Sequence, residues 1–159
     1  MVKLKVALVN PLIPQNTGNI ARLCAANGFE LHLIGKLGFS LDDKHLKRAG
    51  LDYWEHVKLF RHDSFEAFID KENKDSKHDI FVFTKKADKD VFDVKFKNDD
   101  IIVFGPEDNG LSDEFLAKYS GNMVRIPMQT DNVRSLNLSN CVAIASYEAM
   151  RQIKKGGII

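Results

Sequence analysis

The chain has 159 residues and a formal net charge of +1, and its 44% hydrophobic and 28% charged content is ordinary for a soluble globular protein. We expect one domain over residues 1–159; no apolar run is long enough to cross a membrane, and the lysines among the first residues are unlike a signal peptide. Because the net charge is close to zero, a nucleic-acid partner would have to be recognised by a local basic patch.

The first part of the chain predicts a strand followed by a helix. Leu4 to Val9 is expected to form a strand that is buried on both faces. A helix from about Ile20 is expected to end at Asn27 and Gly28, since glycine readily adopts the left-handed conformation that ends a helix. The candidate amino-terminal caps of this helix are Asn16, Thr17 and Asn19.

The middle of the chain continues the alternation of strands and helices. The predicted elements are a strand at Leu31 to Ile34, a turn at Gly35 to Ser40, a short basic helix opened by Asp42 or Asp43 that carries Lys44, Lys47 and Arg48, a strand at Trp54 to Phe60, a helix capped by Ser64, and a charged surface loop at Lys71 to Asp79.

Two further apolar runs, Ile80 to Thr84 and Ile101 to Phe104, predict strands that each enter a polar or glycine-containing loop. Ser112 is expected to cap a helix at Asp113 to Tyr119. Strands separated by helical stretches predict an α/β fold with a mostly parallel sheet covered by helices on both faces.

The stretch from Ile126 to Gln152 joins a strand end, a polar loop and a long helix. An apolar run from Met123 to Ile126 is ended by Pro127, and the helix is expected to begin near Ser135 or Asn137. Such a loop, between a strand end and a helix start, is where open α/β proteins bind ligands. The small residues of the helix predict that another element packs closely against it, and we expect a dimer that uses the first and last helices; these residues are Ala143, Ala145, Ser146 and Ala149.

Several kinds of site are disfavoured by the sequence. The segment from Gly105 to Gly110 lacks the Lys-Ser or Lys-Thr of a P-loop, and no Gly-x-Gly-x-x-Gly follows a strand. The five histidines have no zinc-ligand spacing, so no metal is expected. Cys24 and Cys141 are read as small buried residues of a protein in a reducing compartment, which makes the cytoplasm the expected location.

Three motifs occur in a fixed order along the chain. They are Asn-Thr-Gly-Asn-Ile-Ala-Arg at 16–22, Phe-Gly-Pro-Glu-Asp-Asn-Gly-Leu at 104–111, and Arg-Ser-Leu-Asn-Leu-Ser-Asn at 134–140, the last followed by Tyr-Glu-Ala at 147–149. Each motif alone is equally typical of a turn or a helix cap. Together they resemble the SPOUT RNA methyltransferases and, within them, the small enzymes that methylate the ribose 2′-oxygen of the tRNA wobble nucleotide.

The resemblance implies S-adenosylmethionine bound in a deep carboxyl-terminal trefoil knot, a homodimer that completes the site, and the anticodon loop of tRNA as the partner. It implies that Arg22 is the catalytic residue. The residues implied to bind the cofactor are Val82, Thr84, Gly105, Glu107, Ile126, Met128, Ser135 and Leu136. Those expected to face RNA are Asn16, Asn19, Lys44, Arg48, Arg134 and Tyr147.

Other readings stay open at this point. The chain could be a non-catalytic RNA-binding module that kept the fold, an enzyme that methylates another RNA ribose, or an α/β small-molecule binder whose motifs match by chance. For Arg22, a role in holding a phosphate and stabilising a developing alkoxide is preferred to a role as a base, because a guanidinium stays protonated.

Overall fold

The computed structural model describes residues 1–42, 44, 46 and 53–156. The strands in this part of the chain are β1 Lys5–Val9, β2 Glu30–Ile34, β3 Lys58–His62, β4 Ile80–Phe83, β5 Ile101–Phe104 and β6 Met123–Val124. The α-helices are α1 Pro14–Asn27, α2 Phe65–Glu72, α3 Asp113–Lys118 and α4 Leu138–Gly156. Short 3-10 helices occupy Trp54–His56, Val91–Asp93 and Ser120–Asn122.

Within the described ranges the strands form one six-stranded sheet in the order β3-β2-β1-β5-β4-β6. Every neighbouring pair is parallel, which confirms the predicted parallel α/β fold. All four residues of β5 are buried, as expected of a central strand with both faces covered. Because the strands are parallel, their carboxyl ends lie along a single edge of the sheet.

Each face of the sheet has its own apolar core. One core packs Val6, Leu8 and Leu33 against α1 and α4, and α1 also packs directly against α4. The other core packs Val82 and Val103 against α2 and α3. No helix among the described residues is both long enough and apolar enough to span a bilayer.

Helix α1 begins six residues earlier than the sequence predicted. Its first residue is Pro14, which favours the first turn because its φ is already helical and its missing N–H has no partner to bond there. Asn16 and Thr17 therefore lie buried inside the helix and do not cap it, whereas Asn19 is exposed on its surface. The predicted end is confirmed, because Gly28 has a φ of 70° and donates its N–H to the Cys24 carbonyl.

The edge strand β3 is shifted relative to the prediction. The segment Trp54–His56 forms a 3-10 helix, and the strand runs to His62 because its pairing follows β2 as far as Ile34. The predicted caps Ser64 and Ser112 are confirmed, since each hydroxyl oxygen accepts a backbone N–H at 3.1 Å. In the predicted basic helix, Lys47 and Arg48 lie outside the described residues, and Lys44 is helical and exposed.

Helix α4 begins at Leu138 and is capped by Asn137, the second of its two predicted starts. The Asn137 Oδ1 accepts the backbone N–H of Ser139 at 2.9 Å. Ala145 and Ala149 are fully buried within the core of the same chain. The small-residue face therefore packs against α1 and the sheet. This differs from the sequence-based expectation, in which these small residues belonged to a dimer surface.

Candidate functional site

A pocket of about 540 Å³ opens at the carboxyl edge of the sheet. Its walls are the loops that follow β4 and β5, the loop from Ile126 to α4, and the first turn of α1. This is the edge at which open parallel sheets bind ligands, and the volume is in the range of small-molecule sites.

Most of the predicted site residues meet at this pocket. Those that line it are Asn16, Thr84, Gly105, Glu107, Ile126, Met128, Arg134, Ser135 and Leu136. Arg22, Asn19, Lys44 and Tyr147 do not line it, and Arg48 lies outside the described residues. Val82 is also absent from the pocket: it lies inside β4, fully buried against the core on the α2 side, and the pocket is reached by Phe83 and Thr84 at the strand end.

The carboxylate of Glu107 holds the start of α1 against the loop that follows β5. Glu107 Oε1 accepts the Leu12 N–H at 2.9 Å, and Oε2 accepts the Ile13 N–H at 2.6 Å and the Asn16 side-chain amide at 3.3 Å. A carboxylate at this position satisfies backbone donors at the start of a helix and is favoured by the positive end of its dipole. Glu107 thus acts as a long-range cap for a helix that has no side-chain cap of its own.

Asn16 connects this contact to α4. While its amide nitrogen donates to Glu107, its Oδ1 accepts from Asn137 Nδ2 at 3.0 Å, and Asn16 is only 6% exposed. Asn137 in turn caps α4 through its own Oδ1. The hydrogen bonds that connect Glu107, Asn16 and Asn137, called the Glu-Asn-Asn network below, therefore join the three sequence motifs. The sequence had indicated Asn137 as a helix cap and as part of the third motif, but not as a site residue.

Gly105 is required by a close approach within the pocket wall. A Cβ at this position would lie 2.6 Å from the Leu111 nitrogen and 2.8 Å from the Gly110 carbonyl carbon. The loop folds back here because the Gly110 N–H bonds to the Pro106 carbonyl at 3.1 Å. The close approach at Gly105, a residue that the resemblance implied for cofactor binding, is thus made to its own loop.

Arg22 lies on the exposed side of α1, six residues beyond Asn16, which is about 9 Å along the helix axis. Its guanidinium carbon is 5.6 Å from the centre of the Tyr53 ring, a cation–π distance. The Tyr53 hydroxyl donates to the Gly18 carbonyl at 3.0 Å and so fixes the ring against α1. Sequence reasoning missed Tyr53, because nothing local relates it to a helix more than thirty residues away.

Basic side chains stand at the pocket rim. Lys85 Nζ donates to the Arg134 carbonyl at 3.4 Å, and Lys86 Nζ forms an ion pair with Asp113 at 2.7 Å. Both lysines line the pocket, and both were missed. A Lys-Lys pair directly after a strand was the signal that could have identified them.

The two thiols do not supply a nucleophile. Burial raises the pKa of Cys24 to about 12, and burial also raises the pKa of Cys141, which lines the pocket. Since the reactive form of cysteine is the thiolate, both side chains stay in the unreactive thiol form near neutral pH.

Comparisons with known proteins agree with this geometry. The model of the SpoU rRNA Methylase family matches residues 3–147. A tRNA (cytidine(34)-2′-O)-methyltransferase of Yersinia pestis is 45% identical over 159 residues, and the match covers 98% of each protein. A solved structure described as giving insights into the 2-OH methylation of C/U34 on tRNA has a TM-score of 0.90 and 45% identity, covering 97% of this chain and 98% of that one. The SpoU methyltransferase AviRb from Streptomyces viridochromogenes, solved with the cofactor AdoMet, has a TM-score of 0.80 and 27% identity, covering 93% of this chain and 59% of that one.

Proposed function

The chain belongs to the SpoU rRNA methylase family, and we propose that it transfers a methyl group from S-adenosylmethionine to the ribose 2′-hydroxyl of nucleotide 34, the wobble cytidine or uridine of tRNA. The observation that carries this proposal is the Glu-Asn-Asn network of hydrogen bonds, which brings the three motifs of the family together around one pocket. The identity of 45% over almost the whole of both chains supports the same substrate as in the Yersinia protein.

The pocket fits S-adenosylmethionine, which is the cofactor of this enzyme class. Ile126, Met128 and Leu136 give apolar walls suited to an adenine ring, and the loops around them offer backbone donors and acceptors. When bound, the cofactor supplies a methyl group that is already activated by its bond to a cationic sulfur. The protein must therefore position the ribose hydroxyl and assist the loss of its proton.

Arg22 is proposed as the residue that acts on the ribose. A guanidinium remains protonated and cannot serve as a base, but its planar donors can hold the adjacent phosphate and stabilise negative charge that develops on the ribose oxygen. The ring of Tyr53 limits the directions in which this side chain can point. Glu107 and Asn16 act through position, since they hold the helix that carries Arg22 against the cofactor loops.

The enzyme is proposed to act as a homodimer with a trefoil knot in its carboxyl-terminal part. Support for the dimer comes from the outer face of α4, where Ile144 is 36% and Tyr147 is 53% exposed. Arg22 is exposed and lies outside the pocket of its own chain, which is in keeping with a site completed by a second copy. Light scattering at micromolar concentration tests this assembly, and a monomer would contradict it.

The RNA-facing surface is proposed to include Arg134, Lys85 and Lys86 at the pocket rim, together with Asn19 and Lys44. Single-stranded anticodon bases can be recognised without melting a helix, and the phosphates need only local positive charge. Activity should therefore fall steeply with added salt.

The direct test is to incubate the enzyme with methyl-labelled cofactor and bulk tRNA and to map the label. Label on the ribose of nucleotide 34 is expected; label on a base, or on a ribose elsewhere, would refute the proposed substrate. Arg22→Ala should abolish transfer and leave cofactor binding almost unchanged. Arg61→Ala, which alters an exposed arginine on the edge strand β3, is the matched control and should retain activity. If Arg22→Ala transferred methyl groups at the normal rate, the role given to Arg22 would be wrong.

A further inference from the structure

A second group of ionisable side chains lies on the α2 side of the sheet, away from the pocket. It comprises Lys5 of β1, Glu30 and His32 of β2, His62 of β3 and Glu72 at the end of α2. None of these side chains lines the pocket, and the function proposed above makes no use of them.

The two histidines are held in a defined orientation. His32 Nδ1 lies 2.9 Å from His62 Nε2, and His32 Nε2 lies 3.1 Å from Glu30 Oε2. A carboxylate accepts a hydrogen bond, so the proton of a neutral His32 is on Nε2 and the Nδ1 lone pair faces His62. An imidazole oriented in this way by a carboxylate is the usual arrangement of a metal-binding histidine.

A third ligand is in place beside the histidine pair. One ligand atom each from His32, His62 and Glu72 lies within 4.8 Å of the other two. Bonds of about 2.0 Å in a tetrahedral zinc site place the ligand atoms roughly 3.3 Å apart, so the two imidazole nitrogens would separate slightly from 2.9 Å while Glu72 moves closer. The proton that His62 Nε2 donates to His32 Nδ1 would move to His62 Nδ1, which frees both facing nitrogens for the metal.

The charges of the cluster favour binding of a cation. Lys5 Nζ is 2.6 Å from Glu72 Oε2 and 3.1 Å from Glu30 Oε2, so one ammonium group is shared by two carboxylates. With both histidines neutral, the cluster has a net charge of −1. The cluster is mostly buried: His32 is fully buried, His62 is 7% exposed, and Glu72, whose side chain is 14% exposed, is the most exposed of the three.

We propose that His32, His62 and Glu72 form a binding site for a divalent transition metal, with Zn²⁺ as the best match to two imidazoles and one carboxylate. Water would complete the coordination, and Lys5 would compete with the metal for Glu72. The bound ion would tie the end of α2 to strands β2 and β3. This departs from the sequence-based expectation of no metal, because the two histidines are thirty residues apart and are brought together only by the register of β2 and β3.

The test uses the full chain, freed of metal by a chelator and titrated with zinc chloride in a calorimeter. We expect one Zn²⁺ per chain and a midpoint of thermal unfolding that rises with zinc concentration. Cobalt(II) should give the intense visible absorption of a tetrahedral site. These readouts do not depend on methyl transfer, so they stand or fall separately from the proposed enzyme activity.

Four variants decide whether the named ligands hold the ion. His62→Gln and Glu72→Gln should each weaken zinc binding at least tenfold, and His56→Gln, which alters an exposed histidine outside the cluster, should not. Lys5→Met should strengthen binding, because it removes the competing cation. The proposal is overturned if the wild type shows no saturable binding at micromolar Zn²⁺, or if binding survives unchanged in both His62→Gln and Glu72→Gln.

Discussion

Replacing Glu107 by glutamine tests whether this side chain is a clamp on α1 or a direct contact of the cofactor. The carboxylate accepts three N–H groups, from Leu12, Ile13 and Asn16. Glutamine has nearly the same shape, but one of its two terminal atoms is a donor and would face a donor of the backbone. At least one charge-assisted hydrogen bond is then lost, together with the negative charge at the start of the helix.

The expected loss of stability follows from these two terms. A hydrogen bond to a charged group contributes about 1.5–3 kcal/mol, and a charge at a helix terminus contributes about 0.3–1 kcal/mol. Their sum of about 3 kcal/mol corresponds to a fall of roughly 6–12 °C in the midpoint of thermal unfolding for a chain of this size. Glu114→Gln, which alters an exposed residue of α3, is the control and should shift the midpoint by much less.

Calorimetry with two ligands separates the clamp from a direct contact. S-adenosylmethionine carries a positive sulfur, whereas S-adenosylhomocysteine has a neutral one. If Glu107 only positions the loop, Glu107→Gln should weaken the binding of both ligands by a similar factor. An unchanged unfolding midpoint with a selective loss of affinity for the cationic ligand would refute the clamp and place the carboxylate at the sulfur.

Three further predictions follow from the geometry. Tyr53→Leu should reduce the rate of methyl transfer while leaving cofactor affinity unchanged. Tyr53→Phe, which keeps the ring beside Arg22, should retain most of the rate. An equal loss of rate in the two variants would show that the contact between the ring and Arg22 is not required. Gly105→Ala should weaken cofactor binding measured by calorimetry, because its Cβ would displace the loop at Leu111, whereas unaltered affinity would show that the loop adapts freely. Burial lowers the pKa of His32 from its ordinary 6.5 to about 4, so between these values the unfolded chain binds a proton that the folded chain does not. The contribution of His32 to the free energy of unfolding is therefore fully present above about pH 6.5 and is lost as the pH falls towards 4. The expected loss is about 2 kcal/mol between pH 7 and pH 5. Urea unfolding at the two pH values measures this difference, and the His32→Asn variant, which lacks the titrating ring, is the comparison.

Local signals in the sequence were sufficient for most elements of the fold. The apolar runs marked the strands, and Ser64 and Ser112 marked helix starts because each cap bonds to a backbone N–H three residues away. The start of α1 was missed, although Pro14 at its first position is a local signal for a helix start, because part of what stabilises it is distant in the sequence. Its stabilising acceptor is Glu107, more than ninety residues further along the chain, and no local rule connects the two.

The candidate site was predictable where it depended on loops that follow strands. Glu107 and Ser135, which the resemblance implied as cofactor-binding residues, line the pocket because polar loops at the carboxyl ends of parallel strands converge. Val82, which the resemblance also implied, does not line the pocket because it lies inside its strand and packs into the core. Tyr53 could not be identified because its contact with Arg22 exists only after the segment before β3 has packed on α1.

The hydrogen bond between Asn16 and Asn137 spans 121 residues, which has a consequence for how the protein matures. During synthesis, the amino-terminal helix is complete long before its partner on α4 has been made. A nascent chain, or one truncated before residue 137, lacks one wall of the pocket and cannot retain the ligand. The pocket therefore depends on contacts of high sequence separation, which is the kind of contact that slows folding.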